Sequence, residues 1–201
     1  MLVYSSRLIG TPILSVQASG PIARVDSPVI DPDTLKIVAF RASGPGVNIQ
    51  TNILDVSSVR DYSQLGLIID SEDEFVAPDD VVKIQSALEL NFHLVNLKVE
   101  TKKGSKLGKI TDFTFNSTDF VIQQIIVKRP VVKSFIDPEL TIHRREIVEI
   151  TDDKVVVKDE EKVLKARAAK EDFVPNFVNP FRTHEPGFAP ADTKNPDDKD
   201  N

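Results

Sequence analysis

Residues 94–116 read Leu-Val-Asn-Leu-Lys-Val-Glu-Thr-Lys-Lys-Gly-Ser-Lys-Leu-Gly-Lys-Ile-Thr-Asp-Phe-Thr-Phe-Asn. Apolar and polar residues alternate on both sides of a short polar segment centred on Gly104. A period of two marks a strand with one buried face, and glycine between two such runs marks a hairpin. The same device follows at once. Phe113-Thr114-Phe115 leads into Asn116-Ser117-Thr118-Asp119, and Phe120 to Val127 runs back. This stretch sets the fold class as mainly β.

Earlier in the chain the pattern recurs. Leu8-Ile9-Gly10-Thr11-Pro12-Ile13 aligns with Leu94–Val99 at an offset of 86, and Ile22–Val25 aligns with Leu107–Ile110 at 85. The turn Asp31-Pro32-Asp33-Thr34 aligns with Asn116–Asp119, and Leu54–Val59 aligns with Ile142–Ile147 at 88. Four blocks in the same order point to an internal duplication. Proline at the second turn position fixes φ, and the aspartates can bond nearby backbone amides. Ile53–Val56, Leu67–Ile69, Leu140–Ile142 and Val155–Val157 complete the set of predicted strands.

The second repeat resembles the PRC-barrel family. The run from Leu94 to Asn116 carries the resemblance, with Ile142-His143-Arg144-Arg145-Glu146-Ile147 and its continuation to Val157. Gly104, Leu107, Gly108, Ile110 and Val157 match the family pattern in the second repeat. Asp31-Pro32, Thr34, Val56 and Val59 match in the first. The first repeat departs at Ala23, where glycine is usual, and at Pro28, which predicts an edge position or a bulge. The family takes its name from the cytoplasmic domain of the photosynthetic reaction-centre H subunit. It also includes the C-terminal domain of the bacterial ribosome maturation factor. The resemblance spans residues 3–158 and implies two small, strongly bent β-barrels in tandem, with no shared activity.

The implied organisation is a first barrel over 1–78, a connecting helix over 79–91 and a second barrel over 92–159. A short helix over 160–171 and a disordered Pro/Phe-containing acidic tail over 172–201 follow. Asp79 is placed to cap the connecting helix, with Val81, Ile84 and Leu88 on one face. A genuine duplication also implies that residues 91–160 fold alone.

The 201-residue chain holds 31 acidic and 25 basic residues and no cysteine. That excludes disulfides, thiolate metal sites and cysteine nucleophiles. No apolar run approaches the ~20 residues that span a bilayer, so no membrane insertion is expected. Met1–Arg7 lacks the basic and apolar regions of a secretory signal, which leaves the cytoplasm as the expected compartment. Net charge is uneven: −6 over residues 1–90, +3 over 91–158 and −4 over 171–201. The basic second repeat is thus able to dock on the acidic first one.

Motifs for chemistry are sparse. His93, His143 and His184 stand apart, without the spacing that puts two ligands on one helix face. Ser43-Gly44-Pro45-Gly46 lacks the lysine and helix of a phosphate loop. The carboxylates Asp70, Glu72, Asp73, Glu74, Asp79 and Asp80 lack the register of a calcium loop. No catalytic residue, cofactor or metal is therefore assigned, and the protein reads as non-enzymatic. Two features suit partners. Phe173, Phe177 and Phe181 lie four residues apart in a proline-bearing segment, which suits either a docking peptide for a partner or a latch that packs back over the second barrel. Lys102, Lys103 and Lys106 surround Gly104 within a basic stretch, which suits an acidic protein face or RNA phosphate. The functional expectation is an interaction adaptor or scaffold with an unidentified protein partner. The alternative is a ribosome- or RNA-associated assembly factor acting through the basic second repeat.

Overall fold

Each of the two β patterns folds into a seven-stranded sheet, in a computed structural model that describes residues 1–130 and 139–159. The first sheet contains β2 (Pro12–Ser15), β3 (Gly20–Asp31), β4 (Lys36–Ser43), β5 (Ile53–Asp55), β6 (Asp61–Ser63), β7 (Gly66–Ile69) and β8 (Phe75–Val76). The second contains β9 (Lys98–Thr101), β10 (Lys106–Asn116), β11 (Ile122–Lys128), β12 (Glu139–His143), β13 (Ile147–Ile150) and β14 (Lys154–Val157). Its seventh strand is β1 (Leu2–Tyr4), which pairs with the end of β10. A residue range assigned by sequence to the first barrel thus contributes a strand to the second sheet.

The strand orders are the same. β6-β7-β2-β3-β4-β5 in one sheet matches β13-β14-β9-β10-β11-β12 in the other. In both, the opening strand runs parallel to the closing one, as Ile13 pairs with Leu67 and Val99 with Val155. The likeness extends to irregularities. Register shifts fall between Val25 and Ser27 and between Val29 and Ile30 in β3, and between Ile110 and Asp112 and between Thr114 and Phe115 in β10. The extra residues are Asp26 and Val38 in one sheet and Thr111 and Gln123 in the other, 85 positions apart in each case. Bulges bend a strand and increase its twist, so equal bulges give the two sheets equal curl. Pro28 lies between the two shifts, on a part of β3 that β2, ending its pairing at Arg24, no longer reaches.

Turn chemistry is duplicated as well. The Asp31 carboxylate accepts from the Asp33 amide at 3.0 Å, and Asn116 Oδ1 accepts from the Thr118 amide at 3.2 Å. Leu35 and Phe120, which follow these turns, both adopt positive φ, at 50° and 57°. Pro32→Ala should lower stability by about 0.4–1 kcal/mol, because its effect is to free the unfolded chain. A urea midpoint shift with unchanged slope is the expected readout.

The repeats meet through those turns. The Ile37 amide donates to the Phe120 carbonyl at 3.0 Å, and the Ile122 amide donates to the Leu35 carbonyl at 2.9 Å. Ile37 and Leu35 of one repeat are the counterparts of Ile122 and Phe120 of the other, so the exchange is reciprocal, as across a two-fold axis. Around it Phe120 packs edge-on to Phe40 at 5.6 Å and stacks on Phe115 at 6.0 Å, while Tyr62 meets Phe115 edge-on at 6.0 Å. Buried residues from Val3 to Val157 form one continuous apolar cluster across both sheets. The described ion pairs each lie within one repeat, so apolar packing, backbone exchange and the hydrogen bond from Arg144 to the Thr34 carbonyl join the halves, with no ion pair between them among the described residues.

Helix α1 (Val82–Leu90) links the repeats. It buries Ile84 and Ala87 against Val29, Ala39 and Ile53 on the outer face of the first sheet. Asp79 is not its cap. Val81 holds that position without a side-chain hydrogen bond, and the Asp80 carboxylate accepts from the Ala77 amide instead. The helix ends at Asn91, whose φ of 44° places it in the left-handed region that closes many helices. The expected helix over 160–171 and the tail over 172–201 lie outside the described residues.

Candidate interaction surface

Pairing in the second sheet brings together four lysines that the sequence scatters. Lys154 of β14 pairs with Lys98 of β9, Lys98 with Lys109 of β10, and Lys109 with Lys128 of β11. Directly paired residues point to one side of a sheet, and neighbouring strands lie ~4.8 Å apart, so the four form a lateral row about 14 Å long. Glu139 of β12 pairs with Lys128 and closes the row. Lys98, Lys109 and Lys128 are exposed, and none makes an ion pair among the described residues. Lys154, half-buried, lies 3.6 Å from Glu100.

Gly108 stands beside the row, where β10 closely approaches the end of β11. A Cβ there would stand 2.0 Å from the Lys128 carbonyl oxygen, and its φ is 147°. Glycine lets β10 come this close to the end of β11, although the first repeat reaches the same register, Arg24 opposite Ser43, with Ala23 at the matching position. The first repeat serves as an internal comparison. Its matching positions are Gly66, Pro12, Arg24 and Ser43. The one cation among them, Arg24, donates to the Gly10 carbonyl at 2.9 Å. The row is therefore a property of the second repeat, not of the shared architecture.

Like charges paired directly across strands destabilise a sheet by roughly 0.2–1 kcal/mol per pair. Lys109 enters two such pairs, with Lys98 and Lys128, so Lys109→Gln should raise stability by about 0.4–2 kcal/mol at low ionic strength. The gain in thermal midpoint should shrink as salt screens the charges.

The lysines singled out by sequence lie to one side of the row, along β9 and β10 toward the turn that joins them. Lys102 and Lys103 sit exposed in the turn between β9 and β10, beside Gly104 at φ 79°. Lys103 is 3.6 Å from Asp159, and Lys106 pairs across the strands with Glu100. Phe173, Phe177 and Phe181 lie outside the described residues. Sequence reading missed Lys154 and the alignment of Lys98, Lys109 and Lys128. Register alone brings these together, and the extra residues Thr111 and Gln123 hide that register from simple counting.

Other features find structural roles. His143 Nδ1 accepts from the Arg145 amide at 3.2 Å and caps the 3-10 turn Arg144–Glu146. Asp55 does the same for Ser57 at the matching place in the first repeat. His93 is exposed, and His184 lies outside the described residues. In the carboxylate run, Asp70 pairs with Arg60, while the Ser71 hydroxyl accepts from the Asp73 amide. Among the described residues, no three His, Asp or Glu side chains are grouped to hold a metal ion. The Ser43–Gly46 loop packs on β3, where Gly46 donates to the Ile22 carbonyl at 2.9 Å. A groove of about 400 Å³ runs between Met1–Tyr4 and Tyr62–Gln64, and a cleft of about 290 Å³ lies between Pro32–Leu35 and Ile147–Ile150. Across this cleft Arg144 donates to the Thr34 carbonyl at 3.1 Å. Among the described residues, no helix is long and apolar enough to cross a membrane.

No protein-family model matches the chain, and no curated protein does either.

Proposed function

We propose that this protein is a tandem PRC-type barrel protein serving as a non-enzymatic interaction adaptor in the cytoplasm, with the lysine row of the second repeat as its partner-binding face. The duplicated strand order and the duplicated bulges support the tandem-barrel reading. One observation carries the functional reading: two repeats of one architecture differ at this row, and the repeat that has it bears three adjacent like-charge pairs. A sheet needs no such row to fold, as the first repeat demonstrates. The chemistry selects an acidic, extended partner, since charges spaced by one strand width match a chain of carboxylates running across the strands.

The same row gives the second reading, a ribosome- or RNA-associated factor, because lysines also neutralise phosphates. Stacking on aromatic side chains would not assist it here. Phe113 and Phe115, which lie closest in sequence, are buried in the core. Affinity capture with and without nuclease separates the readings. Partners retained after nuclease treatment are expected for an adaptor. Loss of all captured material on nuclease treatment would replace the adaptor with the RNA reading.

A further inference from the structure

We propose that the acidic segment 171–201 of the same chain lies across the lysine row and competes there with the outside partner. This regulation rests on the reading of the row as a binding surface. The segment carries seven acidic side chains against three basic ones, with Asp197, Asp198 and Asp200 closest together. The row offers three lysines without ion pairs among the described residues. Charge is therefore complementary within one chain.

Reach is also sufficient. The chain passes through the row at Lys154 and leaves the described structure at Asp159, five residues on, or about 17 Å along an extended strand. Asp159 is held near the β9–β10 turn by Lys103, on the strand pair that carries Lys98 and Lys154. The eleven residues 160–170 span up to ~36–40 Å when extended. That exceeds the return distance of ~17 Å and the row's ~14 Å together. A tethered segment meets its site at an effective concentration of order millimolar, so individually weak carboxylate contacts suffice to occupy the row.

The test uses the full-length protein in two arms. Zero-length carbodiimide coupling of the monomer, mapped by mass spectrometry, should join Lys98, Lys109 or Lys128 to carboxylates within 171–201. These links should vanish in K98Q/K109Q/K128Q and fade in high salt. The second arm titrates poly-L-glutamate against the wild type and a full-length variant with all seven carboxylates of 171–201 amidated by substitution. The amidated variant should bind severalfold to about tenfold more tightly, as for a weak site relieved of a millimolar competitor. Links from the segment to other lysines only, or no links at all, would overturn the proposal, as would equal poly-L-glutamate affinities. If neither protein binds poly-L-glutamate, the reading of the row as an acidic-partner surface falls as well. If both bind equally and no row links form, that reading stands and only the regulation is lost.

Discussion

Gly108→Val should destabilise the protein by about 3–5 kcal/mol, a large share of the ~5–15 kcal/mol that holds a typical domain folded. Two separate costs add. A side chain at φ 147° is strained wherever it sits, and the new Cβ would stand 2.0 Å from the Lys128 carbonyl oxygen, a backbone atom that cannot rotate away. Relief requires β10 and β11 to part where they are paired over Lys109–Lys128 and Ile110–Val127. Gly104→Ala is the matched control. Its φ is 79°, but nothing lies within 4 Å of the added Cβ, so the cost should be confined to about 1–2 kcal/mol of backbone strain. Urea denaturation of the two variants checks the ranking. An equal or inverted order would mean that β10 and β11 do not approach as described.

Phe120→Ala should cost about 3–5 kcal/mol and should weaken both repeats together. Phe120 is only 5% exposed and sits between Phe40 of the first repeat and Phe115 of the second. Its carbonyl also receives the Ile37 amide. Removing the ring leaves a cavity at the meeting point of the halves, where one apolar cluster spans both. The intact protein should accordingly unfold in one transition. The same geometry argues against the expectation that residues 91–160 fold alone. Cut free, that fragment would expose Phe115 and Phe120 and lose the β1 strand from β10, with the Ser5 and Ser6 hydroxyls that donate to the Asp112 carboxylate. Two resolved calorimetric transitions in the wild type would contradict the shared core.

Much of the fold was legible because duplication supplies its own control. Alternation in 94–116 and its echo in 8–34 announce strands, and Asp31-Pro32 and Asn116-Ser117 announce turns whose observed hydrogen bonds match. The joining of the repeats was not legible. Leu2–Tyr4 is not among the predicted strands, and nothing local says that it pairs with Thr114–Asn116, over a hundred residues away. Asp79 reads as a cap because caps are local chemistry, yet α1 begins only at Val82, with Ile84 and Ala87 packed on the sheet, and Asp80 is drawn to Ala77. The lysine row was half legible. Its basic composition shows in the sequence, but its geometry depends on cross-strand register. One parallel pairing, Lys154 with Lys98, joins residues 56 positions apart. His143 reads as a strand residue and is the last residue of β12, but its second role as a cap is visible only beside its counterpart Asp55.

The central claim is that the row of Lys98, Lys109 and Lys128, and not basic charge in general, is where a partner binds. Quantitative capture of nuclease-resistant partners by three full-length proteins tests it most directly: the wild type, K98E/K109E/K128E, and K102E/K103E/K106E. The two variants change net charge equally, and the second alters lysines that lie to one side of the row, at the β9–β10 turn. The account predicts that the row variant loses the principal wild-type interactors while the turn variant keeps them. Equal loss in both variants, or retention in both, would contradict it.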